Sequence, residues 1–214
     1  MSESVIETGV DLVPVHGGLV ELVDRRIPLG ERSRFVKEAE RLPSVRVTRA
    51  DLSTVYRISD GGLSPLEGPM RAEVWNRVLD EQCIEVGGRR YAWAIPLSLP
   101  VTPEEASSLS SGGSAALRDE SGTVVGIVDE LEVFDWDKAR YIEKVYRTDR
   151  FDHPGGRSVE SDPRDQLIGG TLRALPQPVD PDYGEYMLSP RMTRAFIREH
   201  KWDRALAFQT RNPL

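Results

Sequence analysis

Apolar residues follow two periods along the chain, and these periods predict a mixture of helices and strands. Phe35, Val36 and Ala39 fall on one face of a helix predicted over residues 31–41. Tyr91 and Trp93 alternate with small or polar residues, as in a half-buried strand. Further helical patterns cover residues 70–79, 138–147 and 190–200, and further strand patterns cover residues 45–47, 115–119, 123–134 and 167–175. This order of strands and short helices predicts an α+β fold class with a β-rich domain.

Side chains that cap helix ends mark two further short helices. Thr48 is followed three residues later by Asp51, and Thr102 is followed at the same spacing by Glu105. In such a pair each side chain accepts a hydrogen bond from the other residue's backbone N–H, so that free donors at the helix start are satisfied. Pro103, next to Thr102, fits the first helical position, where no N–H is needed.

The last residues of the chain combine a short apolar run with polar groups that suit an anion. Residues 205–208 are apolar and predict a strand buried on both faces. Gln209, Thr210, Arg211 and Asn212 follow at once, and ligands of open α/β sheets bind beyond the carboxyl ends of strands. The guanidinium of Arg211 can hold an oxyanion through two parallel hydrogen bonds. By its spacing alone, the same segment also fits an ordinary solvated turn.

A helix is predicted immediately before this strand. Ser189 and Pro190 are typical of its first turn, and it reaches about His200, whose imidazolium would interact favourably with the helix dipole. Met192 and Phe196 are expected to point inward. Helix, strand and polar loop together form one α/β unit.

Proline and polar residues divide the chain into three parts. Residues 1–11 are polar and predict a loose tail. A proline-rich segment near residues 177–184 suggests a domain boundary. We therefore predict one domain over residues 12–178 and the beginning of a second over residues 179–214.

Composition narrows the classes of function. The formal net charge is -7, which argues against a general nucleic-acid binder because such proteins need Lys and Arg to displace counterions. The single cysteine and the three separated histidines do not form a typical metal motif, so we expect no protein-bound metal or prosthetic group. No apolar run approaches the roughly 20 residues that cross a bilayer, and the polar start predicts no secretion leader. A cytoplasmic location without membrane association is the expectation.

Three conspicuous features have structural interpretations as well as functional ones. His16 lies beside a glycine pair and is read as a turn or surface histidine rather than a catalytic one. Cys83 lies among apolar residues and is read as a buried thiol rather than a reactive one. The glycine-rich residues 60–70 are read as a loop that needs glycine dihedrals.

The motif QTRNPL at residues 209–214 resembles the strand-end motif of ATP sulfurylase, sulfate adenylyltransferase, which in that family runs on into an HxxH segment. HGGLV at residues 16–20, DGGLSPLEGPM at residues 60–70 and DHPGG at residues 152–156 resemble further landmarks in the family's order. Pro69 departs from the pattern, since the family more often has an aromatic residue there. The resemblance implies an amino-terminal PUA-like domain, followed by the first helix-strand unit of an α/β nucleotidyltransferase domain.

The resemblance also implies the chemistry of the polar motif. In the family, a sulfate oxygen attacks the α-phosphorus of ATP, which carries magnesium, and pyrophosphate leaves. Carried over by motif, Gln209 and Arg211 hold sulfate, and Thr210, Arg211 and Asn212 lie at the reacting phosphate. Gln209 and Asn212 are also assigned to the ATP phosphates. Mg-ATP is thus a substrate rather than a resident cofactor. Because enzymes of this family are commonly homo-oligomers, the resemblance also implies a homo-oligomer.

Two expectations follow for the 214-residue chain itself. Because the HxxH segment would come after Leu214, the chain alone is expected to be inactive. The alternative is a non-catalytic PUA-like module for binding or assembly, since fold does not fix function. RNA is the less favoured ligand for such a module because the chain is acidic, and a mobility-shift titration across salt would detect it.

Overall fold

The computed structural model describes residues 12–148, 150 and 152–208. Within them the helices are α1 (Arg32–Ala39), α2 (Arg49–Ser59), α3 (Ala72–Glu81), α4 (Pro103–Ser107), α5 (Lys138–Tyr146), α6 (Pro154–Glu160) and α7 (Pro190–Glu199). The strands are β1 (Ser44–Arg46), β2 (Cys83–Val86), β3 (Arg89–Ala92), β4 (Leu99–Val101), β5 (Ala115–Arg118), β6 (Val124–Asp135) and β7 (Gln166–Ala174). Single 3-10 turns lie at Leu29–Glu31 and Gly184–Tyr186. The mixed content confirms the α+β fold class.

Five strands form the main sheet in the order β1-β5-β6-β7-β4. The β1–β5 pair is parallel and the other pairs are antiparallel. At the end of β7, Ala174 bonds to a segment from the start of the chain, because Ile27 donates its N–H to Ala174 O at 2.8 Å and Ala174 donates to Arg25 O at 3.0 Å. A separate hairpin joins β2 and β3.

Both faces of the main sheet are buried. On β5, the side chains of Ala115 and Leu117 belong to the larger core, whereas Ala116 belongs to a smaller one. This alternation follows from the strand period of two. Helices α2 and α3 contribute to the larger core, and α1 packs Phe35 and Ala39 into the smaller one. The sheet is therefore the middle layer of the described domain.

Local sequence signals account for most of these elements. The two predicted capping pairs are present: Asp51 donates its N–H to Thr48 Oγ1 at 3.3 Å, and Glu105 donates to Thr102 Oγ1 at 3.2 Å. The predicted hairpin at residues 115–134 is confirmed as β5 and β6. The strand predicted at residues 167–175 is confirmed as β7.

One helix was missed between the predicted elements. The proline- and glycine-rich residues 148–186 predicted only a single strand, yet α6 begins there at Pro154. His153 accepts a hydrogen bond from Gly156 N through Nδ1 at 3.4 Å, and Pro154 fills the first helical position. Glycine has a low helix propensity, so the helix depends on this cap and on burial of Val159 rather than on its composition.

The glycine-rich loop at residues 60–70 is structural, as expected. Gly61 has a positive φ of 86°, and Asp60 accepts a hydrogen bond from Gly62 N at 3.0 Å. Farther along, the loop runs beside β7, where Gly170 donates its N–H to Pro69 O and Leu172 donates to Glu67 O, both at 2.9 Å. The loop therefore extends the hydrogen bonding of β7 on one side.

Arg173 on β7 links three elements through ion pairs. Its Nε lies 2.6 Å from Asp129 Oδ2 on β6, and its Nη2 lies 2.7 Å from Glu38 Oε1 on α1. Burial of Asp129 opposes ionisation, but hydrogen bonds from Arg173 and Ser114 outweigh it and lower the carboxyl pKa. The hydrogen bond from Arg173 likewise lowers the pKa of Glu38. Both carboxylates thus bind protons more weakly in the folded state than in the unfolded state.

We expect the free energy of unfolding to fall as the pH drops below roughly 4, the ordinary range of carboxyl pKa values. A lowered folded-state pKa contributes stability above the unfolded-state pKa, and this stability is lost as the pH falls through the folded-state value. The Asp129→Asn substitution should lower stability at neutral pH by on the order of 1 kcal/mol, a modest figure because Asp129 is 26% exposed and Arg173 keeps its pair with Glu38. It should also flatten the acid decline. Urea unfolding from pH 7 to pH 2 measures both effects, with Glu199→Gln as the control. If the free energy of unfolding of Asp129→Asn falls with decreasing pH as steeply as that of the control, this role of Asp129 is contradicted.

No helix among the described residues has the length and apolar composition needed to cross a membrane.

Candidate functional site

Helix α7 leads toward the polar motif and begins as the sequence predicts. Ser189 is the N-cap, and its Oγ accepts a hydrogen bond from Met192 N at 3.3 Å. Arg194 on this helix donates from Nη2 to Val13 O at 2.9 Å, which ties α7 to the start of the described chain. The end of the helix also follows the prediction, because His200 Nδ1 lies 2.9 Å from Phe196 O.

The residues assigned to sulfate and phosphate, Gln209, Thr210, Arg211 and Asn212, lie outside the described residues, which end at position 208. Their mutual geometry is thus not part of the structural description, and their roles stay predictions. What the structure describes is the approach to them, residues 190–208, and the surfaces next to that approach.

The predicted buried strand at residues 205–208 is wrong for the described chain. These residues adopt no strand, and their side chains are exposed: Leu206 by 95% and Phe208 by 76%. A strand of an open sheet depends on hydrogen bonds from neighbouring strands, and the described part of the chain places none beside this segment. An apolar run is therefore not sufficient to form the strand.

The inward orientation predicted for Met192 and Phe196 is also wrong. Both side chains are exposed, by 52% and 44% respectively. Phe196 instead packs at the end of α7, with ring-centroid distances of 4.0 Å to His200 and 5.4 Å to Trp202. The amphipathic pattern was read correctly, but no described element covers the apolar face of this helix.

A cleft of about 700 Å³ separates the domain body from the segment that leads into α7. Arg26, Arg49 and Arg57 line it, together with Asp60 and Tyr56. Arg57 pairs with Asp60 at 2.7 Å and donates a second hydrogen bond to Gln177 Oε1 at 2.7 Å. Burial raises the pKa of Tyr56. Arg26 is paired as well, since its Nε and Nη2 donate to the two carboxylate oxygens of Asp24 at 2.9 and 2.6 Å. Two of the three guanidinium groups in the cleft are therefore already neutralised by carboxylates.

The sequence did not indicate this cleft. Arg49 and Arg57 lie on α2, whereas Arg26 comes from an earlier segment, and Gln177, which accepts a hydrogen bond from Arg57, is 120 residues away in the sequence. Dispersed Arg residues among acids look like an ordinary solvated surface. To predict the cleft one would have to know which elements pack against each other, and the periodicity of the sequence does not show this.

The structural interpretations of His16 and Cys83 are supported. His16 is exposed in a turn, where its Nε2 lies 3.0 Å from Ala92 O and its ring packs near Tyr91 and Trp93. His153 caps α6. Cys83 is buried in β2. Among the described residues, no three His, Cys, Asp or Glu side chains are grouped so that they could hold a metal ion.

Comparison with known proteins identifies a family model that matches most of the chain and several similar proteins. A family model described as PUA-like domain matches residues 13–177. The sulfate adenylyltransferase of Pyropia yezoensis is 43% identical over 201 residues, which cover 94% of this chain and 46% of that protein. The sulfate adenylyltransferase of Halothermothrix orenii is 35% identical and covers 95% of this chain and 52% of its own length.

Two further matches extend the comparison. A probable bifunctional SAT/APS kinase of Sorangium cellulosum is 34% identical over 95% of this chain and 34% of its own length. A solved structure, described as a hexameric APS kinase from Thiobacillus denitrificans, has a TM-score of 0.70, is 24% identical, and covers 95% of this chain and 35% of that chain. At that identity the structural match shows the fold alone. The chain spans about half the length of the curated sulfate adenylyltransferases it matches.

Proposed function

The chain belongs to the PUA-like domain family, and from that premise we propose that it forms part of a sulfate adenylyltransferase. The observation that carries this proposal is its similarity to enzymes of that name along 94–95% of its length. We assign residues 12–178 to the PUA-like domain and residues 179–214 to the beginning of the catalytic domain. Residues 1–11 are assigned to a loose tail.

The proposed reaction transfers the adenylyl group of ATP to sulfate. A sulfate oxygen forms a bond to the α-phosphorus, the bond from that phosphorus to the bridging oxygen breaks, and pyrophosphate carries away the electron pair. Sulfate is a weak nucleophile, so catalysis depends on positioning and on neutralising the phosphates. We assign sulfate binding to Gln209 and Arg211, and contacts with the reacting phosphate to Thr210, Arg211 and Asn212. Magnesium accompanies ATP as part of the substrate.

The motif suits this chemistry because it combines one strong cationic donor with neutral ones. Arg211 supplies two parallel N–H groups that match a tetrahedral oxyanion. The amides of Gln209 and Asn212 and the hydroxyl of Thr210 add hydrogen bonds without further charge. The exposed apolar side chains at residues 205–208 are expected to become buried in the complete catalytic domain, and we expect that complete protein to self-associate.

We expect the 214-residue chain to be inactive by itself and active when joined to the half of its relatives that it does not match. The test fuses residues 1–214 to the unmatched part of the Pyropia yezoensis enzyme, and pyrophosphate release from Mg-ATP is measured with and without sulfate. The chain alone, handled identically, is the control. A folded fusion without sulfate-dependent release counts against the proposed function, and release by the chain alone contradicts the expected inactivity.

A further inference from the structure

A cavity of about 270 Å³ lies at the end of the sheet where β6 finishes and β7 begins. The loop before β4 covers one side, and α5 and α6 cover the other. Leu97, Pro100, Val159 and Leu167 supply much of its apolar lining. The volume is close to the lower limit of small-molecule sites, which is roughly 300 Å³. It can therefore take one small ring system and no extended ligand.

Three aromatic side chains form one wall of this cavity. The rings of Trp75 and Tyr141 are nearly parallel, with centroids 6.1 Å apart, and the ring of Trp136 meets Tyr141 edge to face at 6.0 Å. Trp75 comes from α3, Tyr141 from α5, and Trp136 from the turn between β6 and α5. A wall of aromatic faces and edges favours a flat, aromatic occupant.

The charged residues of the cavity are already paired with one another. Arg164 donates from Nε and Nη2 to the two carboxylate oxygens of Asp162, at 2.8 and 2.6 Å, and from Nη1 to Asp51 Oδ2 at 2.6 Å. All three side chains are largely buried. With the ammonium of Lys138, which lies beside Trp136, two carboxylates are balanced by two cations, so the cavity has no excess positive charge to attract sulfate, phosphate or a nucleotide.

An organic cation is also disfavoured, although aromatic walls often bind such ligands. Lys138 already holds its ammonium 5.3 Å from the centroid of the Trp136 ring. A second cation against that ring would be repelled by this ammonium. The carboxylates of Asp51 and Asp162, which would otherwise attract a cation, are engaged with Arg164.

The remaining polar groups are neutral, and one of them is unsatisfied. The indole Nε1 of Trp136 is buried and has no hydrogen-bond partner among the described residues. Buried donors are normally paired, so an unpaired one calls for an explanation. The Tyr141 hydroxyl supplies a second neutral group, and burial raises its pKa to about 12, which keeps it protonated at neutral pH.

From these observations we infer that the cavity is a binding site for a small, neutral, planar heteroaromatic molecule that carries a hydrogen-bond acceptor. Its ring packs against Trp75 and Tyr141, and its acceptor takes the N–H of Trp136 once the indole turns slightly toward the cavity. This site lies within the PUA-like domain and does not depend on the proposed transfer reaction.

The test follows the indole N–H signals of the protein by two-dimensional NMR. The four tryptophans, Trp75, Trp93, Trp136 and Trp202, give four such signals in the 214-residue chain. Adenine, which is neutral, planar and rich in acceptors, should shift the signals of Trp136 and Trp75 in a saturable way, with a Kd on the order of 1 mM or tighter. Indole, which has the same flat shape but no ring-nitrogen acceptor, is the matched probe and should bind at least about tenfold more weakly.

Three variants distinguish the contribution of the Trp136 N–H to adenine binding from that of the cavity's shape. Trp136→Phe keeps an aromatic wall without the N–H and should weaken adenine binding about tenfold, read from the Trp75 signal. Ser158→Phe, an exposed change at the rim on α6, should block adenine without disturbing the core. Trp202→Phe lies outside the cavity and should bind like the unchanged protein.

Several outcomes overturn the inference. Saturable shifts by tetramethylammonium but not by adenine would make the cavity a cation site, and shifts by inorganic sulfate would make it an anion site. Absence of any saturable shift with adenine at about ten times the expected Kd would leave no ligand site of this class. If Trp136→Phe fails to fold, full adenine binding by Ser158→Phe overturns the inference independently.

Discussion

Replacing Arg211 by lysine is expected to lower kcat/KM for sulfate about 100- to 1000-fold in the fusion that contains the complete catalytic domain, the scale seen when one donor to a developing charge is removed. Lysine keeps the positive charge, but its ammonium cannot present two parallel N–H groups to a tetrahedral oxyanion. Because Arg211 is assigned to both sulfate and the reacting phosphate, KM for sulfate should rise and kcat should fall. Steady-state rates of pyrophosphate release at varied sulfate measure the two effects separately.

Arg204→Lys is the matched control, since Arg204 lies in the same segment, is exposed, and precedes the motif. Its rates should stay within about twofold of the unchanged protein, as is usual for surface substitutions. Near-normal sulfate affinity and turnover in Arg211→Lys would remove this residue from the site. The same fusion can then be used for Gln209, whose neutral amide should matter more for KM than for kcat.

The second large effect concerns stability: Gly169→Ala is expected to destabilise the PUA-like domain by about 3 kcal/mol or more. An added Cβ would run into Met70 O and would lie 2.6 Å from both N and Cα of Arg71. These are backbone atoms, so no side-chain rotation can relieve the overlap. The loop must move away from β7, and its hydrogen bonds with Gly170 and Leu172 would be strained or broken.

Thermal and urea unfolding measure this effect, with an expected drop in Tm of about 6–12 °C for a domain of this size. Gly30→Ala is the matched control because nothing lies within 4 Å of its added Cβ. That variant should change stability by less than about 0.5 kcal/mol. Equal stability of the two variants would show that the loop does not need its close approach to β7.

The sequence predicted the parts of the fold that depend on local chemistry. The Thr48 and Thr102 caps, the hairpin near Gly122 and the helix starting at Pro190 all arise from residues within a few positions of each other. Such signals act over one turn of chain and can be read without knowledge of the tertiary structure.

Features that depend on distant partners were predicted poorly. The strand expected at residues 205–208 requires neighbouring strands, and the inward face expected for Met192 and Phe196 requires a covering element, neither of which the described chain provides. The aromatic cavity was missed for a related reason. Trp75 and Tyr141 belong to two different predicted helices and Trp136 falls between predicted elements, so nothing local in the sequence indicates that the three side chains meet.

The candidate site divides in the same way. The motif at residues 209–212, whose role stays a prediction, could be proposed from the sequence because its residues are contiguous. The cleft beside α7 could not, because its arginines come from the chain's first described residues and from α2. Contiguity rather than importance decides which functional groups a sequence reveals.

The strand order β1-β5-β6-β7-β4 also governs how the domain is assembled as it is synthesised. Strand β4 precedes β5 and β6 along the chain, yet its only partner in this described sheet is β7. Arg25 and Ile27 likewise form hydrogen bonds with Ala174 at the end of β7, which is synthesised much later. The hydrogen bonds that join these two segments to β7 therefore cannot form on the ribosome until residues 166–174 emerge. Contacts this distant in sequence make folding slow, and a nascent chain halted before β7 carries an unfinished sheet for chaperones to protect.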